Sequence, residues 1–428
     1  MKTDAAFHTA VGPGCTPRLL TADGDREDGV TYRERGGYLP LVDPDGLLRE
    51  VDGSGLAGRG GAAFPLAVKL RAVRDNGRAA GGAVVVANGE EGEPASVKDR
   101  WLLRHRPHLI LDGLRLAAAI VAAQRAYVYV SDHDSAHSIE AALNEAELDT
   151  LHVQVWTVEA GYVAGEETAA VQAINGGPAK PTDKPPRPFE AGVSELPTLV
   201  SNVETLANLP YLQRHGAEAF RTQGTVVSPG TFLATITGAN RSPVLYELPY
   251  GLPFTELLAL HGVSAEQLRG VLIGGYFAGL LNRSVLDTRL DHETMRGIGS
   301  GLGNGAISLI TDDCPVAVAA AVLAYFDREN AGQCGSCFNG TAAMAAAAGA
   351  LRDFVATGED VDRLRRWSVV LRGRGACQTL DAATNIAATL LGQFPDEVTR
   401  HLAGTCAECS QGAFRADRPY EAMELMRR

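Results

Sequence analysis

Short apolar runs alternate with helical periods through the first half of the chain. Ala83-Val84-Val85-Val86-Ala87 and Ala126-Tyr127-Val128-Tyr129-Val130 predict buried strands, and His152 to Val158 predicts a third. Between them, His108 to Ala123 and Ala136 to Glu147 carry the three-to-four spacing of helices. Such alternation predicts an α/β domain with a mostly parallel sheet, closed by a helix over Asn202 to Leu209. From about Thr225 to Leu290 the texture changes. Phe232 to Thr237, Val244 to Leu248 and Gly270 to Ile273 predict short strands around one helix, Phe254 to Leu260, which makes a small β-rich module. Pro315 to Arg428 is alanine-rich and predicts a helical bundle. Residues 1–50 hold Gly, Asp and Arg without a sustained period and predict a partly ordered lead-in. The expected domains are 1–50, 51–222, 223–300 and 301–428, and no internal repeat is seen.

Composition narrows the class. The chain has 428 residues, enough for two or three cores, and a formal net charge of -12, which argues against nucleic acid as a partner. Leu109 to Ala123, the longest apolar stretch, is broken by Asp112 and Arg115, so no membrane span is expected. The opening residues lack the apolar core of a signal peptide, which points to a cytoplasmic location. Five of the seven cysteines, Cys334, Cys337, Cys377, Cys406 and Cys409, fall in the last hundred residues. Thiolates clustered without a secretory signal point to a metal rather than to disulfides. Cys15 and Cys314 read as structural.

The strongest local chemistry lies in Gly58-Arg59-Gly60-Gly61-Ala62-Ala63-Phe64-Pro65 with Lys69. Three glycines in four residues permit positive φ and close backbone approach, and converging amides make an anion nest. Lys69 adds a mobile cation and Phe64 a flat face, as a cofactor bearing a phosphate and a ring system requires; a plain surface turn is the alternative. Two further loops stand out. Asn88 to Pro94 is acidic and glycine-bearing, and Gly165-Glu166-Glu167 opens a helix with carboxylates at its positive end.

Read together, Gly58 to Lys69, Asn88 to Arg100, Tyr162 to Ala169, Lys184 to Pro186 and Val200 to Thr205 resemble the flavin-bearing, NADH-oxidising 51 kDa subunit of respiratory complex I. The related diaphorase subunits of NAD-linked hydrogenases and formate dehydrogenases share the pattern. The likeness runs in one order from about Gly55 to Cys377. It implies an FMN-binding α/β domain, a β-grasp-like (soluble-ligand-binding) module and a helical domain carrying a 4Fe-4S cluster. It also implies that Gly58, Arg59, Gly60, Gly61 and Lys69 surround the flavin phosphate and ring, and that Phe64 belongs to the aromatic set that grips the dinucleotide. Asn88, Glu90 and Glu91 would hydrogen-bond the isoalloxazine or ribityl chain, with Tyr162, Gly165 and Glu166 opposite. Val200, Ser201, Asn202 and Thr205 match ribityl and phosphate contacts; Lys184, Arg187, Glu93 and Glu167 fall at the NAD(H) or NADP(H) site. The implied activity is hydride transfer to FMN and single-electron transfer through the cluster to a ferredoxin-like or other electron-accepting protein subunit. A docking or assembly subunit that keeps only the fold is the alternative.

The sequence departs from the family pattern twice. Aromatic rings that grip the dinucleotide are replaced by Ala72 and Arg187, with Phe189 nearby as a substitute. Each lost stacking contact costs about 0.5–1.5 kcal/mol. In the cluster pattern, Cys334, Cys337 and Cys377 fill three of four ligand places and the fourth falls on Gly340. Cys406 or Cys409 is expected to supply the missing ligand, with zinc held by the two Cys-x2-Cys pairs as the alternative.

Overall fold

A computed structural model describes residues 8–21, 25–146, 148 and 151–422. The first half holds strand β1 (His8–Val11), helices α1 (Gly29–Glu34), α2 (Pro44–Ser54) and α3 (Leu66–Ala80), and strand β2 (Val84–Asn88). There follow α4 (Lys98–His105), α5 (Pro107–Val121), β3 (Arg125–Val130), α6 (His133–Glu145), β4 (His152–Thr157), α7 (Glu167–Ile174), β5 (Thr198–Asn202), α8 (Val203–Ala207) and α9 (Leu209–Phe220). Strands β4, β3, β2 and β5 lie in that order in one fully parallel sheet. Val84, Val85 and Val86 are completely buried, as expected of an inner parallel strand covered on both faces. The predicted helix end at Glu147 lies outside the described residues; α6 ends at Glu145.

The register of this sheet sets up the site. Asn88 and Asn202 are Cα partners at the C-terminal ends of β2 and β5, the end of a parallel α/β sheet where ligands bind. Helix α5 runs beneath, buried along almost its whole length. Gly113 lets it approach α8 closely: a Cβ there would lie 2.1 Å from the Leu206 carbonyl oxygen.

The second half continues with β6 (Thr231–Gly238), β7 (Val244–Pro249), β8 (Leu252–Pro253), α10 (Phe254–Leu260), β9 (Gly270–Ile273), β10 (Leu280–Asn282), β11 (Arg289–Leu290), α11 (His292–Gly297) and β12 (Ala306–Ile310). A mixed six-stranded sheet runs β1-β7-β6-β12-β9-β10. Its composition differs from the expected module at both ends. β1 comes from the presumed lead-in and β12 from beyond residue 300, because both find their partners far away in sequence. The lead-in is folded structure: the amides of Arg18, Leu19 and Leu20 all donate to the buried Glu247 carboxylate on β7. Six helices close the chain: α12 (Pro315–Glu329), α13 (Gly335–Arg352), α14 (Gly358–Val370), α15 (Thr379–Gln393), α16 (Pro395–Leu402) and α17 (Ala407–Gly412). Their core centres on α12, whose alanines and valines are buried on nearly every side. No helix among the described residues is long and apolar enough to cross a membrane.

Candidate functional site

The glycine-rich turn is closed at its base by a bridge between Ala57 and Pro65 and by the Gly58 amide donating to the Phe64 carbonyl at 2.9 Å. Gly61 has φ +118° and Ala63 φ +50°, so the turn exposes its backbone outward. Among the described residues, the amides from Gly60 to Ala63 have no protein acceptor. Gly60 stands against β5, where a Cβ would lie 3.2 Å from that of Asn202. Open amides, a glycine without side-chain room and a position at the sheet's C-terminal end fit a phosphate-bearing cofactor such as FMN. Phe64 is 51% exposed beside them. Arg59 serves the turn differently from expectation. Its amide donates to Thr205 Oγ1 at 2.8 Å, but its buried guanidinium turns toward β6, donating to the Thr231 carbonyl and lying 4.8 Å from the Tyr250 ring.

Asn202 is held from behind by a buried ionic group that sequence reasoning passed over. Lys98 Nζ lies 2.7 Å from Asp99, 2.9 Å from Glu204 and 3.3 Å from Asn202 Oδ1, while Asn202 Nδ2 donates to Asp99. Its two carboxylates raise the Lys98 pKa despite burial, so the ammonium stays charged. A lysine followed by aspartate is an ordinary surface pair in sequence; only the fold buries it.

The acidic loop and the 161–166 loop clasp each other. A Cβ at Gly92 would lie 2.7 Å from the Gly161 carbonyl oxygen, and one at Gly165 3.0 Å from that of Glu90. Asn88 Nδ2 donates to the Gly165 carbonyl at 2.8 Å. Glu90 is buried, bonded to Ser131 Oγ and to the Gly161 amide, and burial raises its pKa. Glu91 does not point into the cleft. Its carboxylate accepts from Ser96 Oγ and from the amides of Asp99 and Arg100, which caps the start of α4. Glu93 accepts from the Tyr276 amide at 3.0 Å, and burial pushes its carboxyl up to about 7. Tyr162 packs edge-on against Tyr325 and Phe326 of α12.

Four charges form a chain at the start of α7. Lys69 Nζ meets Glu167 at 3.0 Å and the Val200 carbonyl at 2.8 Å; Lys184 Nζ meets Glu166 at 2.6 Å and Glu167 at 3.4 Å. Glu166 also caps α7 through the amides of Thr168 and Ala169. Lys69 and Lys184 hold the Glu167 carboxyl below the usual carboxylate range. Ser201 is buried on β5. Arg187 is exposed, and its guanidinium has no partner among the described residues. Phe189 is half-buried and packs against the large core.

Apart from Cys15, the thiols fall into two groups. Cys334 caps α13, Cys337 follows in its first turn, and Cys377 lies near enough to raise the Cys337 thiol; with burial, the largest cause, it is pushed up to about 12. The Ala376 amide donates to Cys334 Sγ at 3.4 Å. Gly340, where the family pattern has its remaining cysteine, faces the methyl ends of Leu371 and Leu380, 2.8 and 3.3 Å from the place of a Cβ. Cys334, Cys337 and Cys377 thus lie near one another, three of the four thiolates that a 4Fe-4S cluster takes. Cys406 and Cys409 have other close neighbours. They stand with Cys314 and His401, all four buried, their ligand atoms within 4.8 Å of one another. Neither Cys314 nor His401 was a candidate from sequence, although His401-x4-Cys406-x2-Cys409 has metal-ligand spacing.

Known proteins show the same plan. Residues 51–211 match the family described as Nuo51 FMN-binding domain, and residues 317–401 match the NADH-ubiquinone oxidoreductase-F iron-sulfur binding region. The F 2 subunit of NADH-quinone oxidoreductase from Rhizobium meliloti (strain 1021) is 33% identical over 350 residues, covering 75% of this chain and 82% of the relative. The chain belongs to the family of NADH-quinone oxidoreductase F subunits. NADH dehydrogenase (ubiquinone) flavoprotein 1 of Dictyostelium discoideum, a mitochondrial protein, is 33% identical over 374 residues, 83% of this chain and 78% of the relative. A crystal structure of an air-oxidised NAD+-reducing NiFe hydrogenase superposes with a TM-score of 0.79 at 29% identity, over 89% of this chain and 67% of that one. In this family member the FMN-binding match takes in the glycine-rich turn and both clasped loops. The iron-sulfur match takes in Cys334, Cys337 and Cys377.

Proposed function

We propose that the chain oxidises NADH through bound FMN and delivers single electrons by way of an iron-sulfur centre to an electron-accepting protein, ferredoxin-like in kind. The observation that carries this reading is the turn from Gly58 to Ala63, with open amides set against the end of β5. When bound, FMN would accept one hydride, an electron pair, and release the electrons singly, and a 4Fe-4S cluster would take them one at a time. The amides of Gly60, Gly61 and Ala62 and the Lys69 ammonium would hold the phosphate. Gly58, the Arg59 amide and Thr205 fix the turn, while Asn88, Glu90, Tyr162, Gly165, Val200, Ser201 and Asn202 line the flavin. Glu91 acts indirectly by fixing the acidic loop to α4. Glu93, Glu166, Glu167, Lys184, Phe64 and Arg187 would form the dinucleotide side, and Cys334, Cys337 and Cys377 would ligate the cluster. On this reading residues 223–300 form the larger part of a β-grasp-like module and 301–428 a helical iron-sulfur domain.

Purified protein should be yellow and release FMN rather than FAD, because the turn accommodates a terminal phosphate. Gly60→Val should abolish flavin binding, since the side chain would meet Asn202. Full flavin occupancy in that variant, by absorbance and chromatography of the released cofactor, would refute the placement.

A further inference from the structure

Cys314, His401, Cys406 and Cys409 form a second metal centre, and we propose that it binds one zinc ion, apart from the iron-sulfur ligands. Three elements converge to build it. Cys314 caps α12, His401 lies in the last turn of α16, and Cys406 and Cys409 open α17. All four are buried, and they are the one tight group of metal-ligating atoms among the described residues.

The spacing fits one tetrahedral ion rather than a cluster. A tetrahedral zinc site with bonds near 2.3 Å places its sulfurs about 3.8 Å apart. Cys406 Sγ lies 3.8 Å from Cys314 Sγ, and His401 Nε2 lies 3.1 Å from Cys314 Sγ. A four-iron cubane binds each thiolate to a separate iron and needs its ligands spread much further. Four ligands also leave no open position, as in structural rather than catalytic zinc sites.

The surroundings are arranged for ligation. His401 Nδ1 lies 3.0 Å from the Leu351 carbonyl, a bond that orients the ring and leaves Nε2 for the metal. Phe354 stacks on the same ring at 5.0 Å. Each cysteine binds a metal as its thiolate, so metal binding displaces the thiol protons. Binding releases three thiol protons while His401 stays neutral, changing the charge of the site from zero to minus one. Arg352 lies close enough to Cys409 to sense its charge, and Arg269 pairs with Glu408 at 2.6 Å. No electron is gained or lost, so the site is a clamp rather than a relay.

The clamp has a mechanical role. It pins the segment that runs on to Ala422, whose amide donates to the Pro94 carbonyl at 2.9 Å, directly after Glu93. Tyr276, whose amide holds Glu93, donates its hydroxyl to the Pro419 carbonyl of the same segment.

Elemental analysis of the purified full chain should find about one zinc per molecule in addition to any iron. Zinc-edge X-ray absorption should show about three sulfurs near 2.3 Å and one nitrogen near 2.0 Å. Cys409→Ser should lose most of the zinc, whereas Cys337→Ala should keep it. If Cys409→Ser does not accumulate, His401→Cys provides the second arm: zinc is retained and its shell changes to four sulfurs. A parent holding iron but no zinc, zinc lost with Cys337 and kept without Cys409, or an unchanged absorption spectrum in His401→Cys would each overturn the assignment.

Discussion

Glu93 shows how one side chain's surroundings become a measurable property. Its carboxyl touches two backbone amides and no cation, and desolvation outweighs those hydrogen bonds. The proton is therefore held more tightly in the folded chain, where the pKa is about 7, than in the unfolded chain at 4.5. Its stabilising contribution is full below about pH 4.5 and fades as the pH rises through 7, an effect on the order of 3 kcal/mol. Glu93→Gln cannot titrate. The difference in unfolding free energy between parent and variant should change by that amount between pH 4.5 and 8, measured by urea denaturation. A difference that stays flat would mean that the carboxyl keeps its ordinary pKa. At this scale the sequence was partly legible. The glycines at 60, 92 and 165 declare close approaches because only glycine fits them, and the structure supplies the close neighbour in each case. Arg59, Glu91 and Lys98 were not legible, because the direction of a charged side chain is set by the fold: Arg59 reaches Thr231 and Lys98 reaches Glu204, both far along the chain, and Glu91 turns back to the start of α4.

Among the elements, α5 carries the sheet's inner layer, and its closest neighbour is α8. Gly113 sits where the two meet, with the Leu206 carbonyl 2.1 Å from the place of a Cβ. Glycine to alanine in a helix interior ordinarily stabilises by about 1 kcal/mol. Here the obstruction is backbone and cannot rotate away, so Gly113→Ala should instead destabilise by about 2–3 kcal/mol. A variant as stable as the parent in chemical denaturation would mean that the α5–α8 contact yields easily. Asn202 caps α8, so a displaced α8 should also weaken flavin binding. The strands of the parallel sheet were legible because each is a local β-branched run. β1 and β12 were not, because HTAV and AISLI resemble many short segments and become strands only through β7, β6 and β9. The zinc ligands share that difficulty, since Cys314 and His401 lie 87 positions apart.

For the molecule as a whole, the attachment of the N-terminal segment matters most. β1 covers β7, the outer neighbour of β6, and the three amides that follow it satisfy Glu247, which is completely buried. Among the described residues, Thr231 Oγ1 is the remaining donor to that carboxylate. A chain cut after Leu20 would lose both provisions together. The stranded carboxylate should cost more than about 3 kcal/mol. Strand β7 would also become a bare edge, and bare edges recruit strands from other molecules. A protease acting in this segment would therefore do more than shorten the protein: it should convert a well-behaved chain into one that self-associates, with light scattering rising in proportion to the fraction cleaved.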